Sequence, residues 1–270
     1  MPGETVLGET VPALRHRRSI RSIAVSLLTV GMVAVGLAGC APGSPLGGPD
    51  PADYFDAGTV RVLQAARDGD VERIRQLIRE GQDPNTPAND HDARRSGITP
   101  LQWAVEFGRP RTVETLLRGG ADPLVGSGGY NAASYALLRD KTDSLRALID
   151  VDPSLADAPG RGGGVILHVA VLHYRADAVE MLIDADADLD AEDPGGRTPI
   201  FTAASVQNVA ACLVLIRAGA DGGHRDHRGD TFLSSLYLAK DSVRTREFLG
   251  DRDDLEDELR SRGFPVETGR

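Results

Sequence analysis

The sequence predicts an all-α solenoid of stacked helix-turn-helix units joined by projecting turns or short β-hairpins, and three observations predict it. The first is a phrase that the chain repeats. Ser96-Gly97-Ile98-Thr99-Pro100-Leu101-Gln102-Trp103-Ala104 sets Pro at a first helical position, where its missing N–H costs nothing; Val113, Leu116 and Leu117 supply a second helical face; Gly119-Gly120-Ala121-Asp122 closes it. The same order returns at Gly196-Arg197-Thr198-Pro199-Ile200-Phe201-Thr202-Ala203, with Cys212, Leu215, Ile216 and Gly219-Ala220-Asp221 behind it. The second observation is spacing: Thr99 and Thr198 stand 99 residues apart, three periods of 33. The third is an offset. Ala65, Ala104, Ala136, Ala170 and Ala203 are each followed nine residues later by an apolar partner, namely Ile74, Val113, Leu145, Val179 and Cys212.

A period of that length, with a Thr-Pro turn and two helices per unit, resembles the ankyrin repeat. The resemblance covers residues 57–265 in about six units, the end ones acting as caps. It implies antiparallel helix pairs whose turns project like fingers, a concave surface formed by fingers and inner helices, and a non-catalytic protein that binds other proteins.

Taken in order, the first unit runs through Val62-Leu63-Gln64-Ala65-Ala66 and Ile74, Leu77, Ile78. Its outward positions carry Arg61, Arg67, Glu72, Arg73, Arg75 and Arg79, the wet coat that a terminal repeat with one neighbour requires. The Trp103 unit is second. The third, around Tyr130-Asn131-Ala132, lacks Thr-Pro and closes on Asp152-Pro153 where other units have Gly. The fourth keeps Leu167-His168 before Val169-Ala170; by the resemblance, His168 is structural and bonds neighbouring turns. The fifth is regular. The sixth begins at Gly229-Asp230-Thr231-Phe232 and then breaks register, with a charged closing helix expected over 251–260.

Residues 1–39 read as a targeting segment, separate from the fold. Arg15, Arg17, Arg18 and Arg21 precede an apolar run from Ile23 to Leu37, which Leu37-Ala38-Gly39-Cys40 ends. This resembles a bacterial lipoprotein signal. The resemblance implies cleavage before Cys40, lipidation of Cys40, a membrane as one partner, and a lipid-anchored place in the cell envelope. Ala41, rather than Asp, after the lipidated Cys implies the periplasmic face of the outer membrane. The alternative is an uncleaved anchor, for which the run is short against the ~20 residues of a span. Residues 40–56, with Pro42, Pro45, Pro49 and Pro51 among Gly and Ser, read as lipidated Cys and tether, and 266–270 as a tail.

Charge and local motifs exclude several functions. Formal net charge is −10, and −12 beyond residue 39 once the four Arg and two Glu before Cys40 are removed. Such acidity argues against a nucleic-acid partner, whose phosphates need a basic surface. Pro159-Gly160-Arg161-Gly162-Gly163-Gly164 has no following Gly-Lys-Ser/Thr and reads as a finger turn rather than a phosphate cradle. Asp184, Asp186, Asp188 and Asp190 imitate the start of a calcium loop but lack its Gly and distal Glu; Asp186 reads as a helix-ending residue. His224 and His227 read as a solvated finger tip, because no third ligand is fixed by spacing. Cys212 replaces a core Val or Ile and reads as a buried hydrophobe. No nucleophile–base set is recognisable, so neither an enzyme, a cofactor nor a metal is expected.

The binding face is expected where the resemblance places variable contacts: Glu106 and Phe107, Leu138 and Arg139, Leu172 and His173, Ser205 and Val206, with Ile98, Tyr130 and Arg197 before the helices, and His224 and Arg225 on a finger. Each of the four middle layers puts one large apolar group there, and a contiguous apolar stripe suggests a protein interface. Acid-rich ankyrin lipoproteins of this layout resemble immunity proteins encoded with type VI secretion lipase effectors; the alternative is a scaffold or stabiliser of a resident periplasmic enzyme such as a catalase. The sequence carries no signal for an oligomeric state.

Overall fold

The computed structural model describes residues 50–88, 97–107, 109–237 and 245–266. All of them belong to the compact unit Cys40–Arg270. Cys40, the targeting segment, the tether up to Pro49 and the end of the tail lie outside the described residues.

The helices pair as the repeat demands. Inner and outer members alternate: α1 (Ala57–Asp68) with α2 (Val71–Arg79), α3 (Pro100–Phe107) with α4 (Pro110–Gly119), α5 (Ala132–Leu138) with α6 (Thr142–Val151), α7 (Ile166–Leu172) with α8 (Ala176–Asp184), and α9 (Pro199–Ser205) with α10 (Val209–Ala218). Inner helices are sandwiched between neighbouring layers and an outer partner, so almost the whole of α9 (Pro199, Ile200, Phe201, Ala203, Ala204) is buried. Outer helices have one wet face and are amphipathic accordingly.

The nine-residue offset is a packing rule. All five alanines and all five partners are buried, Cys212 among them at 0% exposure. Alanine is required because a larger side chain would hold the outer helix away. One turn beyond each partner stands a leucine, Leu77, Leu116, Leu148, Leu182 and Leu215, and all five are fully buried. Each such burial contributes about 1.5–3 kcal/mol, so the column of leucines is the spine of the stack.

Irregular units are accommodated locally. After α6 the chain enters a 3-10 turn, Pro153–Asp157, started by Asp152, whose Oδ1 accepts from the Ser154 N–H at 3.1 Å. Leu155 and Ala156 of that turn are buried, so the unit closes with apolar contacts where the first, second and fifth use a left-handed glycine. Asp186 ends its helix pair in the left-handed conformation (φ 58°), as its position predicts. The fingers contain no named strand among the described residues; one isolated antiparallel bridge joins Pro159 and Val165. Of the two forms expected for the fingers, the described ones are turns.

Both ends differ from expectation. The sixth inner helix α11 spans only Phe232–Leu236, and the closing helix α12 spans Arg246–Ser261, longer than the expected 251–260 because Thr245 Oγ1 caps it by accepting from the Phe248 N–H at 3.1 Å. Leu255 and Leu259 bury α12 against α10. Val266, expected in the tail, also packs on the core. At the other end the expected tether stops being one at Asp50: Pro51–Asp53 form a 3-10 turn, Pro51 and Phe55 are buried, and Asp56 caps α1 through the Gly58 and Thr59 N–H groups at 2.7 and 2.9 Å.

Candidate protein-binding groove

Successive fingers are stitched by one side chain from the start of the second, third and fourth inner helices. Gln102 Nε2 donates to the Tyr130 carbonyl at 2.8 Å, Asn131 Nδ2 to the Pro159 carbonyl at 2.7 Å, and His168 Nε2 lies 3.0 Å from the Arg197 carbonyl. Because the Val165 N–H donates to His168 Nδ1 at 3.2 Å, Nε2 carries the proton and donates. Burial holds the His168 pKa below its ordinary value, keeping the ring neutral. The structural reading of His168 therefore holds. In the fifth unit Phe201 stands at the equivalent position, and Thr198 Oγ1 beside it is buried with no hydrogen-bond partner. The stitch there comes back from the next finger, with His224 Nε2 2.9 Å from the Gly196 carbonyl and its ring edge-on to Phe201 at 5.9 Å.

The expected contact residues divide into three groups. Ile98 is a correction: at 5% exposure it is core, and its carbonyl accepts from the Ala88 N–H at 2.8 Å, so an apolar side chain before Thr-Pro seals the finger base rather than meeting a partner. Phe107 and His224 are also less free than expected. The Phe107 ring packs 4.8 Å from that of Trp103, and His224 is half-buried, which replaces the solvated finger tip. A second group is tied down by charge. Glu106 accepts from Arg139 Nε and Nη2 at 2.7 and 2.6 Å, a bidentate pair that raises the Arg139 pKa, and Arg197 is held by Asp193 Oδ2 at 3.0 and 2.8 Å. Tyr130 is half-buried beneath Arg161, Arg225 Nη1 donates to the Gly229 carbonyl at 2.7 Å, and Leu138, His173 and Val206 are half-buried.

The third group is open. Leu172 is 46% exposed, and it shares a groove of about 240 Å³ with Arg197 and Ser205. Val169 and Phe201 give that groove apolar walls, and Thr202 and Arg161 edge it. Sequence reasoning missed Arg161, absorbed in a run of glycines, and Tyr174. Tyr174 is 59% exposed beside Leu172, in the left-handed region (φ 55°) that bulky residues avoid, and its hydroxyl donates to the Val206 carbonyl. That unusual φ falls where the first unit has Gly69, so the turn position, not the residue type, was its available signal.

The Cys212 thiol is fully buried and its pKa is driven well up by desolvation, the opposite of an activated nucleophile. Among the described residues no group of three or more His, Cys, Asp or Glu is placed to hold a metal. Asp188 and Asp190 are used by the backbone instead: Asp188 Oδ1 accepts from the Asp190 N–H at 3.0 Å, and Asp190 Oδ1 from the Asp221 N–H at 2.9 Å.

The family model described as ankyrin repeats (3 copies) matches residues 62–157. The described domain is an ankyrin-repeat solenoid. Its fold superposes on the crystal structure of the ankyrin repeat domain of Bcl-3, an IkappaB-family protein, with a TM-score of 0.59 at 24% identity, over 76% of this chain and 86% of that one. In sequence, the chain is 29% identical over 213 residues to Protein PhlB of Serratia liquefaciens, covering 78% of this chain and 90% of that protein. It is 31% identical over 146 residues to neurogenic locus notch homolog protein 1 of Xenopus laevis, covering 54% of this chain and 6% of that protein. The chain spans 22% or less of the first curated relatives it matches. An ankyrin-repeat solenoid is generally a protein-interaction module, and binding another protein is the role that this fold usually carries.

Proposed function

We propose that this ankyrin-repeat chain is a lipid-anchored protein of the bacterial envelope that binds and inhibits a periplasm-acting, lipase-type secreted effector, using the groove between its fourth and fifth units. The single observation carrying the binding face is Leu172, 46% exposed at the rim of a groove whose apolar walls are Val169 and Phe201 and whose polar lining includes Arg161 and Arg197. The bacterial setting is supported by the Serratia liquefaciens relative, of which the chain spans 90%. The envelope is supported by the sequence alone, through Cys40 at the end of the apolar run Ile23–Leu37. Acyl chains on Cys40 would contribute about 0.8 kcal/mol per buried methylene, enough with two or more chains to retain the protein on a bilayer. A tethered inhibitor meets an enzyme that attacks that bilayer where it acts.

The test is capture of partners by the full chain from envelope extract and from cells expressing the neighbouring secretion genes, with Leu172→Asp as control. A captured lipase that loses activity at equimolar chain, and is not retained by Leu172→Asp, supports inhibition. A resident enzyme whose activity is preserved or raised supports a scaffold instead, and hydrolysis by the chain alone would make it an enzyme. In parallel, Cys40→Ala should move the chain from the membrane to the soluble fraction; retention in the membrane contradicts lipidation as its anchor.

A further inference from the structure

The chain's acidity does not extend evenly into this groove. Four arginines along the fingers and helix ends are matched by carboxylates: Arg139 with Glu106, Arg175 with Asp140 at 2.9 Å, Arg197 with Asp193, and Arg228 with Asp226 at 3.2 Å. Arg161 is different. Its Nη1 donates to Tyr130 Oη at 2.6 Å and its guanidinium lies over the Tyr130 ring, 4.8 Å from the centroid. Tyr130 fixes the fork in place without neutralising it, and among the described residues no carboxylate pairs with it. The carboxylate in the groove's lining, Asp193, is committed to Arg197 and to the Gly195 N–H at 2.7 Å. A guanidinium held in one orientation, with most of its five donors unused, is preorganised for a carboxylate.

The groove's size narrows the class further. At about 240 Å³ it falls below the ~300–1,000 Å³ of small-molecule sites, and suits one inserted side chain. Leu172 lines its exposed rim, with the buried Val169 in the wall. We propose that the partner presents an Asp or Glu carboxylate to Arg161 and seats the adjoining large apolar side chain on Leu172. This rests on the protein-binding reading of the groove and states which segment of a partner it selects: acidic-apolar, not basic, despite the chain's net charge of −10.

Small probes test the subsite without the partner. Amide spectra of the full chain are titrated with 3-phenylpropionate, its neutral amide 3-phenylpropanamide, and phenethylammonium. Saturable shifts confined to 161–173 and 197–206 are expected, with the acid binding roughly tenfold more tightly than the amide and the ammonium weakest, as a charge-assisted pair requires. Arg161→Gln, at an exposed position, should make acid and amide equal, and Arg161→Lys should restore only part of the preference. Equal binding of acid and amide to the wild type, tighter binding of the ammonium, a preference that survives Arg161→Gln, or shifts not confined to the groove would each overturn the proposal. Those results would leave protein binding standing, because that reading is decided by whether Leu172→Asp abolishes capture.

Discussion

The inner surface of the solenoid is closed at one end and open at the other. At the second unit Trp103 is buried among three rings: Tyr54 at 5.2 Å, Phe55 edge-on at 5.5 Å and Phe107 at 4.8 Å. Two of these come from outside the repeats, from the segment that enters the first helix. At the fourth and fifth units the same surface has Leu172 exposed at a groove walled by Val169 and Phe201, with Arg161 and Arg197 in its lining. Repeat position alone therefore does not make a contact residue. What decides is whether the chain already covers that position with its own side chains.

The sharpest way to break this contrast is to truncate one aromatic residue at the closed end and one aliphatic residue at the open end. Phe55→Ala removes a ring that is 4% exposed, and should cost about 3 kcal/mol in urea unfolding, the lower part of the range for buried Phe→Ala. Trp103 is the chain's sole tryptophan, so its emission should also shift red as water reaches the indole. An unchanged midpoint and emission would mean that the entry segment only rests on the repeats.

A smaller effect is expected from pH at the stitch between the two regions. Burial lowers the folded-state pKa of His168, so the unfolded chain binds its proton more readily. Stability from this group is complete above the unfolded value of about 6.5 and is lost as pH falls from there towards the folded value. Protonation also removes the Nδ1 acceptor used by the Val165 N–H. Urea midpoints measured between pH 7 and 5 should fall in the wild type and fall less in His168→Gln; parallel slopes would remove His168 from the account. The smallest effect belongs to the open end, where Leu172→Ala should change stability by no more than about 0.5 kcal/mol. A loss comparable to that of Phe55→Ala would place Leu172 in the core and remove the contrast.

The stack was legible because its rules are periodic. The alanines and their partners nine residues on, the left-handed Asp186 and the buried Cys212 all follow from helical spacing, and each stands where spacing put it. The binding face was only partly legible, for reasons that are not periodic. Phe107 occupies a variable position, but it packs on Trp103, and the other rings on Trp103, Tyr54 and Phe55, come from nearly fifty residues before that tryptophan, with nothing local to show that they return to meet it. Ile98 stands at a position that the resemblance makes a variable contact, and an apolar side chain there suits an interface and a core equally, so only the fold shows that it joins the core. Arg161 was hidden because glycines on both sides made the run look like a turn, and its partner Tyr130 lies 31 residues away.

Hydrogen exchange on the complex with the captured partner tests the central claim most directly, since it compares both ends of the surface in one experiment. New protection in 161–173 and 197–206, with none added at 51–56 and 100–107, is the result predicted. Protection centred on the Trp103 cluster, with 161–173 exchanging as in the free chain, would contradict it.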